Sequence, residues 1–92
     1  MSSPHRAPYL LAMPTALRIG AYRFFFYAGD RAERVHIHVR RDQREATFRL
    51  EPVRLESNRG FTMRELNVLE GLVQEHAESL VRAWREYFEA GD

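Results

Sequence analysis

The chain contains no cysteine and no lysine. Without cysteine, neither a disulfide nor a thiolate zinc site can staple the fold, and the composition fits a reducing compartment. Without lysine, all 14 basic charges sit on arginine, whose planar guanidinium favours bidentate contacts; a GC-rich genome produces the same bias. Thirteen acidic residues oppose them, for a net charge of +1, which excludes a strong overall pull toward nucleic acid. Long apolar runs are also missing. None approaches the roughly 20 residues of a membrane span, and APYLLAM at 7–13 is too short and too poorly flanked for a secretory signal. A cytoplasmic location without membrane contact is the expectation. A chain of 92 residues is one domain by length and buries only about 60–65% of its unfolded surface. A homodimer or a small partner protein is therefore expected to supplement its stability.

What is present is organised by a change of period. Residues 1–12 carry Pro4 and Pro8 without any periodicity and read as a flexible N-terminal extension; residues 13–92 read as a single α+β domain. Leu17-Arg18-Ile19 alternates as a half-buried strand does, and Gly20-Ala21 allows YRFFFY, residues 22–27, to return as a hairpin arm. Residues 28–34, AGDRAER, read as a loop marked by Gly29-Asp30. Val35, Ile37 and Val39 alternate with His36, His38 and Arg40; after a polar turn at 41–44, Ala46, Phe48 and Leu50 alternate with Glu45, Thr47 and Arg49. Pro52 ends the ladder or marks an edge, which Val53 and Leu55 extend. Residues 57–60 read as the loop before a helix.

That helix opens on a capping box, Thr62 with Glu65, and a hydrophobic staple, Phe61 with Leu66. Leu66, Leu69, Leu72, Val73, Leu80, Val81, Trp84, Tyr87 and Phe88 then follow at helical steps, with His76 in the same stripe. Gly71 is the one weak point, costing about 1 kcal/mol against Ala. The expected fold is a four-stranded, mainly antiparallel sheet with one face covered by a long C-terminal helix or two consecutive helices. One helix over 62–89 would run about 42 Å, whereas four strands make a sheet of roughly 20 by 20 Å. Either the helix breaks, or its aromatic end, Trp84, Tyr87 and Phe88, meets a second copy or a partner.

Alternation places Arg18, Arg23, Phe25, Tyr27, His36, His38, Arg40, Glu45, Thr47 and Arg49 on the face away from the helix, open to solvent. Arg18, Arg23, Phe25, Tyr27, Arg40 and Arg49 then form a candidate platform for stacking bases and contacting phosphates of RNA or DNA. His36 and His38, with Arg23, Arg40, Arg49 and the Tyr27 hydroxyl, form a candidate catalytic set for metal-independent RNA cleavage, which needs a proton acceptor, a proton donor and positive charge. The plainer alternative is a solvated face with cross-strand Arg–Glu pairs. The two histidines lie about 6.6–7 Å apart along one strand and two such rings can share a metal, but spacing names no third ligand. Asp30, Glu33, Glu45 and His76 all qualify, so no metal and no cofactor is assigned. Phosphate-binding, nucleophile-elbow, zincin and helix-turn-helix patterns are absent from the sequence.

Several motifs in order, MPT at 13–15, LRIG at 17–20, YRFFFY at 22–27, HIHV at 36–39 and NRGF at 58–61, resemble the small bacterial family known as domain of unknown function 4160. Glu65-Leu66, Leu72-Val73, His76, Trp84, Tyr87 and Phe88 resemble its C-terminal half. Members commonly begin at Met-Pro-Thr, in keeping with an extension over 1–12. The family often has proline before His-x-His, where this chain has Arg34-Val35. The resemblance implies no established activity. It does imply a gene beside another small partner, as in toxin–antitoxin modules, and so an interaction module that binds a protein and, in one version, nucleic acid.

Overall fold

The computed structural model describes residues 14–89; the expected extension over 1–12 lies outside them. Five strands, β1 (Thr15–Ile19), β2 (Tyr22–Phe25), β3 (His36–Arg41), β4 (Arg44–Leu50) and β5 (Val53–Arg59), form one antiparallel meander in sequence order. A single helix, α1 (Met63–Glu89), packs across it. The sheet thus has one strand more than the alternation suggested. β5 takes in Ser57, Asn58 and Arg59, read above as loop. Its period-two signal is weak because it is an edge strand, exposed along almost its whole length, so no face of it had to be apolar.

Turn chemistry closes the hairpins. Gly20 sits at φ +57° between β1 and β2, and between β3 and β4 the same left-handed conformation falls to Asp42 at φ 56°. A short polar side chain tolerates that conformation, which is how the second turn dispenses with glycine. Ahead of α1, Asn58 uses both ends of its amide on Phe61, accepting from the Phe61 amide at 3.1 Å and donating to its carbonyl at 3.0 Å. The capping box is formed: Glu65 N donates to Thr62 Oγ1 and Thr62 N to Glu65 Oε1, both at 3.1 Å.

Phe24, Phe26, Ile37, Val39, Ala46, Phe48 and Leu50 make the core with Phe61, Leu66, Leu69, Val73, Leu80, Val81, Trp84 and Phe88. Leu17, Ile19, Tyr22 and Val35 pack partly buried against it. α1 runs unbroken through Gly71, which lies on the solvent side with nothing within 4 Å of where a Cβ would stand.

The length mismatch between helix and sheet is resolved inside the chain. The aromatic end of α1 was expected to seek a partner, but Trp84 and Phe88 are only 4% and 5% exposed. Phe26, just past β2, meets both, with ring centroids 5.4 Å from Trp84 and 6.0 Å from Phe88. Arg31 donates to the Phe88 carbonyl. The β2–β3 connection therefore covers the helix end that four strands would leave bare. Of the three aromatics proposed for an interface, only Tyr87 is exposed. No described helix is long and apolar enough to cross a membrane.

Candidate metal centre

The connection that covers the helix end is not an irregular loop. Ala28–Ala32 forms a short 3-10 turn between Tyr27 and Glu33. Asp30 N donates to the Tyr27 carbonyl at 2.9 Å, and the Asp30 carboxylate accepts from Tyr27 N at 3.0 Å. This aspartate-centred turn aims the carboxylate inward, across the far face of the sheet.

There it meets both histidines. Pairing aligns Phe25 with His38 and His38 with Thr47, so these side chains form a row on the face away from α1; Arg23, Arg40 and Glu45 form the next. His36 and His38 point the same way, two residues apart. Their rings converge until the Nε2 atoms are 3.2 Å apart. Asp30 Oδ2 lies 3.1 Å from each of them. His36 is 4% exposed and His38 and Asp30 9% each. The histidines expected on a wet surface are thus buried, because the turn folds over them.

Outer partners orient both rings. His36 Nδ1 is 2.6 Å from the Arg34 carbonyl. A carbonyl only accepts, so in the neutral ring Nδ1 carries the proton and Nε2 presents its lone pair. His38 Nδ1 faces Thr47 Oγ1 at 3.1 Å and Glu45 Oε2 at 3.5 Å. With the proton on Nδ1, shared between those oxygens, Nε2 of His38 is a lone pair as well; with the proton on Nε2, that nitrogen donates to Asp30 Oδ2 at 3.1 Å and Nδ1 accepts from the Thr47 hydroxyl. Burial lowers the pKa of His38, and hydrogen bonding to Asp30 offsets this only in part, so the neutral ring prevails at pH 7.

In the tautomer with both protons on Nδ1, two lone pairs and a carboxylate oxygen converge on one point. A triangle of acceptors with 3.1–3.2 Å edges is repulsive unless a cation, either a proton or a metal ion, lies among them. An ion bound at 2.0–2.1 Å separates its ligand atoms by about 3.3–3.4 Å in tetrahedral geometry and about 2.9 Å in octahedral geometry. The observed edges fall between. Asp30, His36 and His38 are the one metal-competent group among the described residues.

The remaining candidate residues surround this centre in other roles. Glu45 accepts from the Tyr27 hydroxyl at 3.1 Å and from Arg40 at 2.8 Å. Its hydrogen bond, followed by its charge, raises the pKa of Arg40 against the opposing effect of burial, while burial, followed by the Glu45 charge, raises that of Tyr27. Arg49 is engaged by Glu56 at 2.7 Å, and Arg23 donates to Thr15 Oγ1 at the same distance. Arg18 is exposed on β1 opposite Arg23. Phe25 is fully buried, stacked on His38 at 5.4 Å with the guanidinium of Arg23 4.6 Å and that of Arg40 5.3 Å from its centroid. It offers no free ring face to a base. The arginines do share the sheet face, but Arg40 and Arg49 are committed to carboxylates rather than held ready for phosphate.

Asp30 is the residue that pattern reading left among four equals. Its only signal was an acidic side chain in the loop before His-x-His, which Glu33 shares; the 3-10 turn distinguishes them, burying Asp30 and leaving Glu33 exposed.

Fold and site together define a small α+β protein that keeps a two-histidine, one-carboxylate cluster between its sheet and the turn folded over it. The chain belongs to the family described as Domain of unknown function (DUF4160), whose model matches residues 21–85, from β2 through most of α1. No curated protein and no solved structure matches the chain.

Proposed function

We propose that this is a metal-binding protein in which Asp30 Oδ2, His36 Nε2 and His38 Nε2 hold one divalent transition-metal ion. The observation that carries the reading is the convergence of three ligand atoms within 3.2 Å while both Nδ1 atoms face oxygen partners. Metal-ligating histidines characteristically give their second nitrogen to a carbonyl or carboxylate, as His36 does to Arg34 and His38 toward Glu45. Two imidazoles and a carboxylate suit zinc, iron, cobalt, nickel or copper; magnesium and calcium prefer oxygen alone.

Metal-independent RNA cleavage receives no support from this arrangement, since both imidazoles face inward against Asp30. The toxin–antitoxin pairing and nucleic-acid binding implied by the resemblance draw nothing from the site either.

Isothermal titration of the metal-stripped protein with zinc tests the reading. The expected result is one zinc per chain, no heat with magnesium, and loss of binding in Asp30→Ala and in His38→Ala. A wild type that binds zinc no better than a chain with all three ligands replaced would overturn it, and would leave a shared proton as the cation at the centre.

A further inference from the structure

Residues 28–34 are tied to the rest of the molecule in an unusual way. Of the seven, only Asp30 is buried; Ala28, Gly29, Arg31, Ala32, Glu33 and Arg34 are exposed. No apolar side chain of this strap enters the core. Both of its ends are fixed. Phe26 is 2% exposed and Tyr27 is bonded to Glu45; at the other end, Val35 packs on the core and its carbonyl accepts from Leu50 N at 3.1 Å. Between those anchors, the attachments include the Asp30 carboxylate on His36, His38 and the Tyr27 amide, the Asp30 amide on the Tyr27 carbonyl, the Arg34 carbonyl on His36 Nδ1, and Arg31 on the Phe88 carbonyl. Those that reach β3 run through the two histidines. Beneath the strap, His36 lies 5.0 Å from the ring of Trp84.

A segment with exposed side chains and few buried contacts opens locally at little cost, far below the free energy of global unfolding. A metal ion that needs Asp30 together with both histidines binds only the closed strap. Opening removes one of three ligands and exposes the other two to water.

We propose that the metal ion is a latch: it pins residues 28–34 over the buried histidines, so that metal supply decides whether the strap is closed. This rests on the metal reading above and adds regulation to it. Linkage sets the size of the effect. A ligand specific to one state depletes the other by a factor of 1 + [M]/Kd, about 100-fold at a free metal concentration 100 times Kd.

Hydrogen exchange read by mass spectrometry on the wild-type chain, in chelator and at zinc 100 times Kd, tests this beside the calorimetric titration. The Asp30 and Glu33 amides, which are bonded in the closed turn, are expected to exchange about 100-fold more slowly with zinc, and in chelator to exchange well ahead of those of β4. Asp30→Asn should show fast strap exchange in both conditions with β4 still protected; if that variant does not fold, the wild-type comparison alone decides. One zinc per chain with unchanged strap exchange overturns the latch and leaves the metal site standing. Strap amides that exchange in chelator no faster than those of β4 also overturn it, since the strap would then open only with the whole fold. Absence of zinc binding overturns both.

Discussion

Trp84 is where fold and assembly make opposite demands, and its replacement by alanine separates them. The indole is 4% exposed. Its ring centroid lies 4.4 Å from Phe88, 5.4 Å from Phe26 and 5.0 Å from His36. Truncation removes the transfer free energy of the ring, leaves a cavity bounded by these neighbours, and forfeits the aromatic pairs, each worth about 0.5–1.5 kcal/mol beyond burial. Large-to-small changes at such positions cost about 3–5 kcal/mol, a large part of the roughly 5–15 kcal/mol available to a small domain. Tyr87, its helical neighbour, is 42% exposed and keeps ring contacts with Phe88 at 4.8 Å and Phe26 at 6.3 Å, so Tyr87→Ala should cost about 1–2 kcal/mol, less than the loss at Trp84. Urea titrations followed by far-UV circular dichroism, at two protein concentrations tenfold apart, measure both. A loss below about 1 kcal/mol at Trp84 would refute the reasoning. So would a wild-type midpoint that moves with protein concentration, since the aromatic end of α1 would then owe its stability to association.

Gly71→Ala should stabilise the protein by about 0.5–1 kcal/mol in the same titrations, because the position is helical, exposed and free of neighbours. The Glu65 pKa is held below its ordinary 4.5, chiefly by the Thr62 amide; a depressed carboxylate stabilises above that value and loses its contribution as pH falls through the folded-state pKa. The stability gap between wild type and Glu65→Ala should therefore be full at neutral pH and close in the acid range, as acid titrations of the two chains will read. Zinc at 100 times Kd should add about 2.7 kcal/mol, and at about 4–8 °C per kcal/mol for a domain of this size the melting temperature should rise by about 11–22 °C over chelator; a rise under 2 °C would count against the site. Thr47→Val removes the oxygen 3.1 Å from His38 Nδ1 and should weaken zinc binding about 10–100-fold in calorimetry.

How much of this was legible beforehand differs element by element. Leu17, Ile19, Ile37, Val39, Ala46, Phe48 and Leu50 could be sorted to the helix side from alternation alone, because consecutive strand residues must face opposite ways. The N-terminus of α1 was equally open to reading, since Thr62 and Glu65 satisfy each other's amides within one turn. β5 was harder: an edge strand exposed along its length carries little hydrophobic pattern. The fate of Trp84 was not readable at all, for it depends on Phe26 arriving from 58 positions away in the chain.

The candidate centre divides along the same line. That His36 and His38 share one side of one strand follows from the chain's own stereochemistry, and so belongs to the sequence by itself. Whether that side is wet or dry does not follow, because alternation names two faces without saying what covers each. The tertiary structure decided it by folding the 3-10 turn back over the sheet, which buries two imidazoles read as surface groups and picks Asp30 from four acidic or imidazole candidates. Local sequence governs direction, since bond geometry acts between neighbours; company is governed by contacts that close only when distant segments pack.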